Sequence, residues 1–218
     1  MAIALYLIVL LINIYLSVRR KNYTIILIIS IAILSLLSGY ARAVSGDLYY
    51  YKTAYELHRT ITWEVGYLWL SNLFISLGIS FEAFHTIVSA LSMLFTVIGL
   101  KAFTNNKHLI LALHTIVMFQ FMAIAMRFSI AVSIVLLGFR FLFDDDKKKN
   151  LIYFAFVAIA TLFHVTALFS ALFFLAVLNK QPRKTLRRVL VIVNCIGVMF
   201  ILLMMIAPSI LITFFYVF

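Results

Sequence analysis

Apolar residues occur along the chain in long runs, separated by short polar stretches. A helix needs about 20 such residues to cross the hydrocarbon core of a bilayer. Seven runs are candidates, at about 2–18, 23–41, 83–100, 108–126, 128–143, 151–178 and 189–207. The pattern therefore predicts an all-α integral membrane protein, with the whole chain, 1–218, as a single polytopic membrane domain.

Two stretches depart from this simple pattern. The run 151–178 is too long for one upright span and too short for two, and the polar residues His164 and Thr166 interrupt its middle. It predicts a re-entrant helical hairpin. The stretch 64–78 is short and has a polar stripe beside apolar and tryptophan side chains. That pattern is typical of an amphipathic helix at the membrane interface, here within a hydrophilic loop over 42–82.

The composition excludes a soluble protein. Apolar residues make up 66% of the 218 and charged residues 11%, whereas a soluble domain has about 45–50% and about 25%. The net charge of +11 does not indicate nucleic acid as a partner, because the basic residues form short clusters between apolar runs, as in membrane proteins. The single cysteine, Cys195, excludes a disulfide within the chain.

The positions of the basic residues predict the topology. If 64–78 lies on the surface and 151–178 enters and leaves on one side, fourteen of the 18 Lys and Arg residues share a side of the membrane. If both stretches cross, the split is nine against nine. Cytoplasmic loops are enriched in Lys and Arg, so we predict about six full spans, the hairpin, an N-terminus outside and an extracytoplasmic loop at 42–82. The basic residues then left outside are Arg42, Lys52, Arg59 and Arg127.

Arg127 interrupts a long apolar stretch between two predicted spans. An arginine at membrane depth is costly unless it is paired or binds an anion. It is either an interfacial side chain that reaches the headgroups or a donor to phosphate or pyrophosphate. Gln120, seven residues earlier, would share its helical face if one helix continued through both. We predict both residues as substrate-binding.

The loop after the second apolar run contributes acids and phenols. Asp47 follows Gly46, Tyr50 and Tyr51 come shortly after, and Glu64 precedes the amphipathic stretch. Carboxylates beside aromatic rings suit sugar binding, and a carboxylate also serves as a general base. The alternative is a solvated loop whose tyrosines form an interfacial aromatic belt.

His164 is the only histidine or charged residue within 151–178. It either caps backbone groups that a hairpin exposes or transfers protons. The sequence contains no zinc-peptidase, CxxC, α/β-hydrolase or Walker motif. No metal or other cofactor is predicted.

Four short motifs, taken together, resemble the EpsG-type, Wzy-like polysaccharide polymerase family over about 42–178. They are Arg42 with Gly46-Asp47 and Tyr51, then Glu64-x-Gly66-Tyr67, then Arg127 with Ala131, then Phe163-His164-x-Thr166-Ala167-Leu168. The charge count assigns all four to the outer side. Compared with the family pattern the chain is a short or truncated member. The resemblance implies as functional residues Arg42, Asp47, Glu64, Arg127 and His164.

The resemblance implies a multi-pass enzyme of the bacterial cytoplasmic membrane. It would join undecaprenyl-pyrophosphate-linked oligosaccharide repeats at the outer face into O-antigen, capsule or exopolysaccharide, next to membrane lipid and other polysaccharide-assembly proteins. Such a transfer needs a cationic clamp for the leaving pyrophosphate and a base for the attacking hydroxyl. Arg127 with Arg42 would be the clamp, and Asp47, Glu64 or His164 the base.

Two other functions are alternatives. A transporter or flippase subunit for a lipid-linked or anionic substrate would place ionisable residues near the membrane midplane. An integral-membrane acyltransferase would have charges that are reachable from the cytoplasm. The predicted clustering of charges at the outer surface favours the polymerase.

Overall fold

The computed structural model describes residues 2–41, 46–58, 64–142 and 147–174. All regular structure among them is helical. Residues 1–171 form one compact unit and 172–218 a second, of which 172–174 are described. In chain order the elements are α1 Ala2–Val18, α2 Thr24–Gly39, α3 Gly46–Glu56, α4 Val65–Ser76, α5 Phe81–Leu100, α6 Lys107–Ile124, α7 Met126–Leu142, α8 Lys147–Thr161 and a 3-10 helix, Val165–Phe173.

The exterior of the first unit is apolar, and its interior contains polar side chains. Ile3 and Val18 are each 76% exposed, whereas Asn13 is 1% exposed and His85 is fully buried. A soluble protein shows the opposite arrangement. Apolar side chains that face outwards and polar side chains that find partners inside are expected when the surroundings are lipid.

Two of the described helices, α5 and α6, are long and apolar enough to cross a bilayer. Shorter apolar helices of 10–17 residues are α1, α2, α4 and the Asn150–Thr161 part of α8. The prediction of a helical membrane protein is thus confirmed in this coarse form. The count of about six full spans stays a prediction, and the run 189–207 lies outside the described residues.

The helix α5 packs against α2, α6 and α7, while α7 also packs against α8. Small residues lie at the close contacts. Gly99 of α5 lies against the backbone of Leu136 in α7, and Gly138 of α7 lies against Phe156 of α8. Glycines let membrane helices approach this closely. The short helix α3 contacts α5 and α6.

The helix that begins at Lys107 does not continue to Arg127. Ala125, with φ −116° and ψ 64°, leaves the helical conformation and ends α6, and α7 starts at Met126. Arg127 therefore lies in the first turn of a new helix. The apolar pattern predicted an interruption within one or two residues of this position.

The chain reverses direction at residues 162–164. Tyr153 lies about two turns before the end of α8, and its hydroxyl donates to the backbone oxygen of Ser170 at 2.5 Å. The 3-10 helix therefore returns alongside α8. The reversal agrees with a helical hairpin, whereas its depth in the membrane stays a prediction and residues 175–178 lie outside the described part.

Candidate functional site

Arg127 connects the start of α7 to two other elements. Its Nη1 donates to Glu64 Oε2 in an ion pair, and its Nε donates to the hydroxyl of Tyr51 at 3.1 Å. The guanidinium carbon lies 5.3 Å from the centre of the Tyr51 ring. The Arg127 side chain is 19% exposed. It is thus paired within the protein and still reachable from outside.

Glu64 directly precedes α4 and has the extended backbone of an N-cap residue, but its side chain makes no capping hydrogen bond. One carboxylate oxygen, Oε2, pairs with Arg127. The other, Oε1, accepts a hydrogen bond from the backbone N–H of Val165 at 3.4 Å. Glu64 therefore links the start of α4 to the start of α7 and to the turn after α8.

The next residues of the Glu64-x-Gly66-Tyr67 motif make different contacts. Gly66 donates its N–H to the Leu162 oxygen at 2.8 Å, and a Cβ at Gly66 would lie 2.8 Å from the same oxygen. The Tyr67 side chain is 1% exposed, and its ring centre lies 5.6 Å from that of Tyr51. Gly66 therefore holds the start of α4 against the turn after α8, and Tyr67 packs α4 against Tyr51 of α3.

His164 lies in the turn between α8 and the 3-10 helix. Its Nδ1 accepts from the backbone N–H of Thr166 at 3.3 Å and lies 2.7 Å from the Thr166 hydroxyl. A ring nitrogen that accepts an N–H carries no proton, so we assign the neutral tautomer with hydrogen on Nε2. The ring stands edge-on to Phe128 of α7, with 5.6 Å between the ring centres. Burial lowers the pKa of His164, while the charges of Glu64 and Arg127 act on that pKa in opposite directions.

Asp47 and the tyrosines of α3 divide between two sides of that helix. Tyr51 is 2% exposed and faces Arg127, while Tyr50 is 65% exposed and points away. Asp47, one turn before Tyr51, is exposed at the start of α3 and acts electrostatically on Tyr51. Burial raises the pKa of the Tyr51 hydroxyl, which keeps it neutral.

Contacts outside the predicted set hold α3 in place. Lys52 pairs with Glu82 of α5 at 2.5 Å and with Glu56 at 3.6 Å. The hydrogen bond to Glu82 raises the pKa of Lys52. Tyr55 donates to the Ile79 oxygen at 2.8 Å. The motifs in the sequence do not mark these anchoring residues, although the four-residue spacing of Lys52 and Glu56 is a known signal for a helical ion pair.

Gln120, a predicted substrate-binding residue, lies on a different helix from Arg127. Because α6 ends before Ala125, the seven-residue spacing does not put Gln120 and Arg127 on one helical face, which corrects that expectation. Gln120 instead lines a cavity of about 350 Å³ with Tyr6, Leu37 and other residues of α1 and α6. Arg42 lies outside the described residues.

The structure brings Tyr51, Glu64 and Arg127 into contact and places them beside the turn that contains His164, while Asp47 lies one turn from Tyr51 in α3. Within the described ranges, no group of three or more His, Cys, Asp or Glu side chains is placed to hold a metal ion. What the group offers is a guanidinium, carboxylates and an imidazole N–H near one another. These are suited to binding an anion and moving a proton.

Comparison with known proteins identifies the family. No curated protein and no solved structure matches the chain. The model of the EpsG family matches residues 24–218, which is most of the chain. This includes every residue of the group around Arg127, and the chain therefore belongs to the EpsG family.

Proposed function

We propose that this membrane protein of polysaccharide biosynthesis is a polymerase. It joins undecaprenyl-pyrophosphate-linked oligosaccharide repeats at the outer face of the bacterial cytoplasmic membrane into O-antigen, capsule or exopolysaccharide. Membership of the EpsG family supports the general assignment. The observation that carries the specific one is the meeting of Arg127 with Glu64, Tyr51 and His164.

The proposed transfer requires a cationic group for the leaving pyrophosphate and a group that takes a proton from the attacking hydroxyl. A hydroxyl of the acceptor repeat attacks the anomeric carbon of the donor repeat, the bond from that carbon to the pyrophosphate oxygen breaks, and the electron pair leaves with undecaprenyl pyrophosphate. Arg127 would stabilise the negative charge on the leaving group. A carboxylate or His164 would take the proton of the attacking hydroxyl. The exposed Tyr50 would offer a face for a sugar ring.

Analysis of lipid-linked glycans in a producing cell tests this function. Deletion is expected to leave single repeats on the lipid carrier, exposed to the outside, with no long polymer. Arg127→Lys keeps the charge but loses the planar fork that binds pyrophosphate, so we expect about 100-fold less polymer.

The matched control is Arg140→Lys at the other end of α7, where the guanidinium lies 4.5 Å from the Phe141 ring centre. We expect polymer of normal length from it. If deletion instead traps single repeats on the cytoplasmic side, the protein is a transporter and the polymerase proposal is wrong. Normal polymer from Arg127→Lys would exclude the pyrophosphate-binding role.

A further inference from the structure

The ion pair of Glu64 and Arg127 is positioned for exchange with another anion. Both side chains are about one-fifth exposed, 21% for Glu64 and 19% for Arg127. A pyrophosphate carries more negative charge than a carboxylate, and it offers several oxygens to a guanidinium. A pyrophosphate that reaches Arg127 therefore competes with Glu64.

We propose that the donor's pyrophosphate displaces Glu64 from Arg127, and that the released carboxylate is the general base of the transfer. The inference rests on the polymerase function proposed above. In this proposal the two residues act together. Binding of the leaving group at Arg127 releases the Glu64 carboxylate, which then takes the proton of the attacking hydroxyl.

The second contact of Glu64 keeps the released carboxylate in place. Its Oε1 accepts from the Val165 N–H, which belongs to the backbone after α8 and does not depend on Arg127. Displacement therefore frees Oε2 without freeing the side chain. An unpaired carboxylate beside an anionic pyrophosphate binds a proton more readily than one paired with a guanidinium. The oxygen that Arg127 releases, Oε2, is thus the one that takes the proton while Oε1 stays bound to Val165.

The other two candidates fit the role of base less well. The Nδ1 of His164 already accepts from Thr166, and its neutral ring carries hydrogen on Nε2, so neither nitrogen is ready to take a proton. Asp47 is exposed at the start of α3, and no direct contact with Arg127 couples it to the pyrophosphate site. His164 Nε2–H is instead a donor to the leaving group or to a sugar oxygen.

The reaction balances as follows. The acceptor oxygen forms a bond to the anomeric carbon, its proton passes to Glu64 Oε2, and the carbon–oxygen bond to the pyrophosphate breaks with the pair leaving on oxygen. Arg127 holds the departing anion. When undecaprenyl pyrophosphate leaves, Glu64 gives its proton to water and pairs with Arg127 again. No oxidant, metal or further reactant is needed.

Binding of inorganic pyrophosphate to the purified full-length protein in detergent tests the exchange. Glu64→Gln removes the competing charge, so pyrophosphate is expected to bind about five- to tenfold more tightly. Turnover of lipid-linked repeats should fall about 100-fold or more for loss of a general base, with an unchanged or lower KM. If Glu64 only orients Arg127, Glu64→Gln should instead weaken pyrophosphate binding and raise KM.

Two further variants separate direct competition from a general charge effect. Asp47→Asn removes a charge near the same group and should tighten pyrophosphate binding by less than twofold. Lys101→Gln, which removes an exposed charge at the opposite end of α5 from Glu82, should leave both binding and turnover unchanged. Equal tightening by Asp47→Asn and Glu64→Gln would overturn the exchange.

The pyrophosphate titration tests the exchange whether or not the protein proves to be a polymerase. Weaker or unchanged pyrophosphate binding by Glu64→Gln overturns the exchange even if the parent protein makes polymer. Absence of polymerisation by the parent overturns the proposed function, while the pyrophosphate titration still decides whether Glu64 competes for Arg127. If Glu64→Gln does not fold, Glu64→Asp, whose shorter side chain weakens the ion pair, should shift pyrophosphate binding in the same direction by a smaller factor.

Discussion

At the scale of single residues, Arg127 occupies a position that helix electrostatics disfavour. A cation in the first turn of a helix interacts unfavourably with the helix dipole, by about 0.3–1 kcal/mol. The ion pair with Glu64 and the hydrogen bond to Tyr51 offset this cost. The arginine is therefore held in place by these side-chain contacts and not by helix electrostatics. Its role as a headgroup contact or as a phosphate or pyrophosphate donor stays a prediction.

Tyr51→Phe tests how far Tyr51 positions that arginine. The substitution removes the hydroxyl that accepts from Arg127 Nε but keeps the buried ring. We expect a loss of about 1 kcal/mol in the free energy of unfolding and about tenfold lower polymer synthesis. Tyr49→Phe is the control, because Tyr49 is 54% exposed. Parent-like activity of Tyr51→Phe would show that the Tyr51 hydroxyl is not needed to orient Arg127.

At the scale of elements, the start of α4 is the part of the fold that the site depends on most. The sequence motif identified Glu64, Gly66 and Tyr67 but could not say what each contacts. The structure shows that Gly66 is required because the α4 backbone meets Leu162. This contact also brings Glu64 next to the Val165 N–H.

Gly66→Ala is expected to disturb that contact. The new Cβ would lie 2.8 Å from the Leu162 oxygen, which is backbone and has little freedom to move. Such overpacking costs about 1–3 kcal/mol. Thermal unfolding in detergent should show a lower midpoint, whereas Val65→Ala, at a position 72% exposed, should stay within about 0.5 kcal/mol of the parent. A Gly66→Ala protein as stable as its parent would contradict the close contact.

The scale of elements also decides whether Gln120 and Arg127 share a helical face, and they do not, because α6 ends between them. A seven-residue spacing indicates a shared face only if one helix spans both positions. The apolar runs indicated a boundary near Arg127, but hydropathy does not show whether the backbone leaves the helical conformation there, since Ala125 and its neighbours are compatible with a helix. The break depends on how α6 and α7 pack, which a local pattern does not contain.

At the scale of the whole molecule, the charge count predicts that the site faces away from the cytoplasm. Cysteine labelling with a membrane-impermeant reagent tests this in a Cys195→Ser background. Tyr49→Cys in α3 and Thr166→Cys in the 3-10 helix should react in intact cells. Lys101→Cys, at the end of α5, should react only after the membrane is opened. The reverse pattern would place the site on the cytoplasmic side and exclude outer-face polymerisation.

The sequence by itself determined the class of protein and predicted which residues form the site. Hydropathy and charge are local quantities, so long apolar runs indicate a helical membrane protein, and isolated ionisable residues among them indicate functional positions. Arg127 and His164 stand out in this way, whereas Asp47 and Glu64 lie in or next to a hydrophilic loop and were grouped with them by the family resemblance. Only the tertiary structure decided their partners. Glu64 and Arg127 are 63 residues apart in the chain, and Glu64 and Val165 are 101 apart. Contacts over such separations arise from helix packing and chain reversal, and these depend on the whole bundle rather than on any local pattern.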